Sequence, residues 1–150
     1  MQKIAALLLA GTFIVSPKIT SAEMVDLCLI GKPHPGMFNG KMITIRGTTF
    51  HSPEHSGLFN DRCEIPIHLV YPGGEGIKVS FGLKKDKEWD KFSHYDSFNT
   101  GVLTGFDPKY YKVTATFHGL FQYFPAVKGS NFFTLRLVVE SVSDVSVEKQ

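Results

Sequence analysis

Two cysteines, a pair of histidines four residues apart and a set of clustered aromatics are the parts of this chain whose chemistry stands out. Cys28 and Cys63 suit a disulfide if the protein works in an oxidising compartment, where thiols pair instead of staying reduced. Lipid attachment at Cys28 fits less well, because Val25-Asp26-Leu27 places an acid and a Leu where a lipoprotein signal carries small residues. Cysteines this far apart also lack the close Cys-x-x-Cys spacing of a zinc site.

The segment His51-Ser52-Pro53-Glu54-His55 offers two imidazoles and a carboxylate. On a helix the two rings would share a face and form a zinc pair, but Pro53 opposes a helix there. A loop with two solvated histidines is the expectation, so His51 and His55 are weak metal candidates and no metal or other cofactor is expected. His68 and His118 fall on polar strand positions, and His94 has no evident partner nearby in sequence. The chain has no Gly-x-Ser-x-Gly elbow, and Gly73, Gly74 and Gly76 are not followed by the Lys-Ser or Lys-Thr of a phosphate loop. Asp61, Glu64, Asp86, Glu88 and Asp90 are scattered, leaving a hydrolase with carboxylates assembled from loops as an alternative to a non-catalytic protein.

Aromatic residues gather late. Trp89, Phe92, Tyr95 and Phe98 share one short stretch, Tyr110 and Tyr111 follow it, and Phe121, Tyr123 and Phe124 come after. Most are expected to fill a small core. Trp89, Phe92 and Tyr95, surrounded by Lys84, Lys85, Lys87, Glu88, Asp90 and Lys91, are the candidates for contact with a protein or peptide partner.

The elements that must position these groups are mostly strands. Period-two alternation places Ile43 and Ile45, then Ile65, Ile67 and Leu69, then Ile77, Val79 and Phe81, on the apolar faces of three strands. Val113, Ala115 and Phe117 mark a fourth, and Phe133, Leu135, Leu137 and Val139 a fifth. Asn39-Gly40, Pro72-Gly73-Gly74 and the polar stretch 128–131 read as connections. Trp89, Phe92 and Asp96 recur at helical spacing, predicting a short amphipathic helix within 84–98, and a second short helix is predicted at 24–30. The predicted fold is therefore all-β with one or two short helices: three strands, a helical connection and two strands, the order of a five-stranded antiparallel Greek-key barrel of the OB type.

Residues 1–22 have the layout of a secretory signal peptide, with Lys3, an apolar run over 4–15, and Thr20-Ser21-Ala22 before the expected cleavage site. That run is short for a membrane span, which needs about 20 residues, so no membrane insertion is expected after cleavage. The mature chain, 23–150, has the length of one domain. The whole chain has 16 Lys and Arg against 14 Asp and Glu; losing Lys3 and Lys18 with the leader leaves 14 against 14. A neutral protein is a poor fit to a phosphate backbone, and the outward positions Pro66, His68, Lys78 and Ser80 give no platform for base stacking, so nucleic acid is not an expected partner.

The stretch from Cys28 through Pro33, Phe38, Gly40-Lys41 and Ile43-Thr44-Ile45-Arg46-Gly47 resembles the opening of a group of small, exported, uncharacterised bacterial proteins. In that group a Cys-bearing helix is followed by Pro, an aromatic residue, Gly-Lys and a strand ending in Gly. Gly57-Leu58-Phe59-Asn60-Asp61-Arg62-Cys63 resembles the group's second strand and second Cys. Residues 113–119 and 135–145 look like its last two strands. Lys32-Pro33 departs from the group's commoner Asn-Pro, and the insert 86–108 has no clear counterpart. The resemblance implies an OB-like fold and carries no catalytic residues with it. Together these features predict a periplasmic or secreted, non-catalytic binding or structural module of a bacterial envelope. A metal-binding protein using the loop histidines and a toxin-neutralising inhibitor are the further alternatives.

Overall fold

Strands form where apolar and polar residues alternate, and here they build one mixed sheet. The computed structural model describes residues 23–32, 34–51, 56–74, 76–100, 111–125 and 134–150. Residues 1–22, Pro33, the segment 52–55 with Glu54 and His55, the part of the insert from 101 to 108, Tyr110, the connection 128–131, Phe133 and the side chain of Phe98 lie outside the described residues. The elements are β1 (Met24–Val25), α1 (Leu27–Ile30), a 3-10 turn (Pro35–Phe38), β2 (Met42–His51), β3 (Ser56–Phe59), β4 (Glu64–Ile65), β5 (Ile67–Val70), α2 (Lys87–Thr100), β6 (Tyr111–Phe124) and β7 (Thr134–Lys149). The all-β expectation holds in this form, with two helices.

The sheet runs in the order β4-β3-β2-β6-β7-β5, with β1 added in parallel to β2. β2 pairs antiparallel with β3 and β6, β6 pairs antiparallel with β7, and β5 lies parallel to β7. As a set of ladders the sheet is open. Its two end strands, β4 and β5, are nevertheless consecutive in the chain and separated only by Pro66. Proline has no N–H to continue a ladder, so the predicted strand at 65–69 breaks there. Its first part joins β3 and its second part joins β7.

One predicted strand is absent. Residues 77–81 form no strand, although Ile77, Val79 and Phe81 are half-buried. The alternation marks burial on one side, which does not require a ladder partner. The β7 edge on that side is already taken by β5 as far as Val138. Two other strands lay outside the five read from alternation: β1, and β3, which falls on the segment 57–63 that resembles a second strand. The predicted helix at 24–30 is reduced to α1, capped by Asp26, whose side chain accepts from the Cys28 N–H. The helix predicted within 84–98 is α2.

β7 carries two bulges against β6. Thr114 and Thr116 face Ser146 and Ser143, while His118 and Gly119 face Ser141 and Val139, so β7 has one extra residue at each step. Each bulge resets which residues point inward, and the buried positions run Val139, Val142, Val145 at intervals of three. Asp144 takes the left-handed conformation, with φ 49°, at the second bulge. At the first, Gly119 is required, because a Cβ there would overlap the carbonyl oxygen of Val138.

The core gathers Ile43, Ile45, Leu58, Ile65, Ile67, Val113, Phe117, Phe121, Leu135 and Leu137 from the strands. Leu27 and Ile30 of α1 and Phe92 of α2 complete it. A disulfide joins Cys28 to Cys63, with Cα atoms 5.6 Å apart, and so ties α1 to the turn before β4. Asn60 orders that turn by accepting from the N–H groups of Arg62 and Cys63. Arg62 binds Asp26 at 2.7 Å, a contact that, with the Cys28 N–H, holds the Asp26 carboxyl below the usual carboxylate range. Among the described residues no helix is long and apolar enough to cross a membrane.

Candidate ligand site beside Trp89

The bulges of β7 leave main-chain groups without register partners on β6, and the segment 84–91 takes them up. The N–H of Lys84 donates to the carbonyl of Glu140 at 2.7 Å. The N–H of Val145 donates to Glu88 Oε2 at 3.0 Å, and its carbonyl accepts from Lys91 Nζ at 2.6 Å. Glu88 and Lys91, one helical turn apart, therefore grip one residue of the sheet from α2. A buried main-chain group left unpaired costs about 1–3 kcal/mol, so this grip is a strong positional constraint on the helix.

The start of α2 is set by Asp86. Its Oδ1 accepts from the N–H groups of Glu88 and Trp89, at 3.0 and 3.2 Å, the arrangement of a helix N-cap. Lys84 Nζ lies 2.9 Å from its Oδ2, and this contact, with the two N–H groups, holds the Asp86 carboxyl below its ordinary range. The far half of α2 is held by Asp96, whose Oδ1 accepts from Thr49 Oγ1 at 2.7 Å and meets His51 Nε2 at 3.1 Å.

That last contact corrects the expectation for His51. It stands at the end of β2 with a side chain 15% exposed and paired to Asp96, which is 16% exposed, and so is not a solvated loop residue. Among the described residues no group of three or more His, Cys, Asp and Glu side chains could hold a metal ion. His118 also differs from its expected solvent-facing role. Its Nδ1 is 3.0 Å from Thr44 Oγ1 and its Nε2 is 3.1 Å from Glu140 Oε2, which links β2, β6 and the first bulge of β7.

The three aromatic candidates occupy different environments. Phe92 is 1% exposed and meets Phe117 edge to face at 5.2 Å, so it belongs to the core. Tyr95 packs on Tyr111 at 5.0 Å and is partly exposed. Trp89 is partly exposed, backed by Phe92 at 5.9 Å and set edge-on to Tyr71 at 5.0 Å. Burial, and then the charge of Asp96, push the Tyr71 hydroxyl well above the ordinary phenol range.

Trp89 and Tyr71 wall a solvent-open hollow of about 520 Å³, completed by Pro72, Gly73, Phe81, Gly82, Leu83 and Lys85. A second hollow, of about 620 Å³, shares Tyr71, Pro72 and Gly73 with the first and is lined further by Leu69, Val70, Gly74, Ile77 and Arg136. The volumes fall within the range of ligand sites, but both hollows are wide open to solvent; the first is lined mostly by apolar surface and the second by polar and apolar surface in nearly equal parts. Sequence reasoning picked out Trp89, with Lys85 among its charged neighbours, but missed Tyr71 and Leu83. It also assigned Phe81 to a strand and Pro72-Gly73 to a simple turn. Their common signal is an aromatic and a proline beside glycines, on chain that alternates without ladder pairing.

No protein-family model, no curated protein and no solved structure matches the chain.

Proposed function

We propose that this protein is an exported, non-catalytic binding module built on an OB-like, partly open barrel, and that its ligand site is the hollow walled by Trp89 and Tyr71. The barrel reading is supported by the sheet order and by the parallel pairing of β5 with β7. It is also supported by the covalent link of the two sheet ends through Pro66. An OB barrel is a partly open Greek key of this kind. The disulfide and the leader-like segment 1–22 support export to a periplasmic or external compartment.

One observation carries the binding reading. Trp89 is held from three sides, by the Asp86 cap, by the Glu88 and Lys91 grip on Val145 and by Phe92 in the core, while one side of the indole stays open beside Tyr71. A large ring fixed before a ligand arrives loses little entropy on binding. Because the chain has a single Trp, indole emission reports on this hollow alone. Screening a displayed library of random peptides and titrating the selected sequences against Trp89 emission tests the reading. Selected peptides that shift the emission, and that fail against Trp89→Ala, support it; selected peptides that leave the emission untouched count against it.

A second reading, hydrolysis, rests on the array Thr44, His118 and Glu140, since hydroxyl, imidazole and carboxylate in that order can activate a nucleophile. The array lies across three ladder-paired strands, where it equally serves as a tie between them. Covalent labelling by a fluorophosphonate, lost in Thr44→Ala, is the result that favours hydrolysis.

A further inference from the structure

We infer that the two hollows together recognise an acidic, extended peptide segment whose apolar side chains enter one hollow each. This rests on the reading of the Trp89 hollow as a ligand site and adds the chemistry of what enters it. Among the described residues, each hollow is lined by one cation and no carboxylate: Lys85 in the first, Arg136 in the second. The nearby cation Lys84 is paired with Asp86. Lys85 has no ion-pair partner among the described residues, and Arg136 rests its guanidinium 4.9 Å from the ring centre of Phe124. Stacking of that kind orients the planar group while leaving N–H donors for a carboxylate.

Tyr71, Pro72 and Gly73 line both hollows, which are therefore neighbours, each with apolar side chains in its lining. A ligand that fills both must present two apolar groups, each near a negative charge, on one continuous backbone. An extended chain that carries bulky apolar residues and Glu or Asp in turn at every second position, with small residues between, has that form, because residues i, i+2 and i+4 point to one side. A basic segment would face Lys85 and Arg136 with like charge, which lowers affinity and slows association.

The test uses residues 23–150 with three short capped peptides of the pattern Phe-Ser-X-Ser-Leu-Ser-X, where X is Glu, Gln or Lys, so that Phe, Leu and X share one face, each titrated against Trp89 emission. The Glu peptide is expected to bind about ten-fold or more tightly than the Gln peptide and to weaken as salt is raised. Lys85→Glu, at an exposed position, is expected to lower Glu-peptide affinity about ten-fold and to raise that of the Lys peptide. Arg136→Gln is expected to weaken the Glu peptide in the same direction. Equal binding of the Glu and Gln peptides, with Trp89 responding to both, would overturn the acidic inference and leave the site standing. If no peptide alters Trp89 emission, both the inference and the site reading are overturned.

Discussion

Glu88 of α2 accepts a hydrogen bond from the N–H of Val145, a residue of β7 that has no register partner on β6. The bulge that frees Val145 is thus also the fixture that places the helix, and through it Trp89. Breaking the grip is expected to loosen α2 without unfolding the sheet. In Glu88→Ala the Val145 amide should exchange with solvent markedly faster than in the parent, while amides of β2 and of the middle of β6 keep their protection. Unchanged exchange at Val145 would remove this role for Glu88.

The disulfide links positions separated by 35 in sequence, Cys28 and Cys63, and on the chain-entropy account it contributes about 3 to 4 kcal/mol. Replacing both cysteines by Ser should lower the urea midpoint accordingly. The intact mass of the native protein should be two hydrogens below that of the reduced form. Two free thiols in protein purified from its native compartment would contradict the pairing.

Phe92 and Trp89 separate core from site. Phe92→Ala removes a ring that is almost fully buried and is expected to cost about 3–5 kcal/mol of stability. Trp89→Ala should cost clearly less, because part of the indole already faces solvent, and should abolish peptide binding. Equal destabilisation by the two variants would make Trp89 a structural plug. His51→Ala is expected to cost about 1–2 kcal/mol, since it strips Asp96 of a partner where both side chains are largely buried.

Acid should release the start of α2. The Asp86 carboxyl titrates below its ordinary value of 3.8 in the folded protein, chiefly through Lys84 and then through the N–H of Trp89. A depressed folded value means that its stabilising contribution is complete above that ordinary value and is lost as pH falls through the folded one. Trp89 emission should therefore change as pH drops below about 4, the ordinary carboxylate range, and Asp86→Asn should remove that part of the change. An identical acid response in Asp86→Asn would assign it elsewhere; Asp26, also depressed through Arg62, is the comparison.

How far the sequence could be read follows from what each signal measures. Period two reports one-sided burial, so it found the Ile43 and Ile45 face of β2 and the Val113 to Phe117 face of β6, and it also promised a strand at 77–81. Hydrogen bonding between distant segments decides ladder membership, and nothing local to Ile77 encodes it. The bulges left a trace in the three-residue spacing of Val139, Val142 and Val145, which alternation alone passes over. Of the site, Trp89 was visible through its charged surroundings. Tyr71 was not, because its meeting with Trp89 depends on the grip between α2 and β7.

The most direct test of the central claim is an amide chemical-shift map of labelled protein spanning residues 23–150 with a peptide from the library screen. The account predicts that the largest shifts fall at Tyr71, Gly73, Leu83, Lys85 and the indole N–H of Trp89. Shifts confined to the outer face of β2 and β6, around Thr44 and His118, would contradict it.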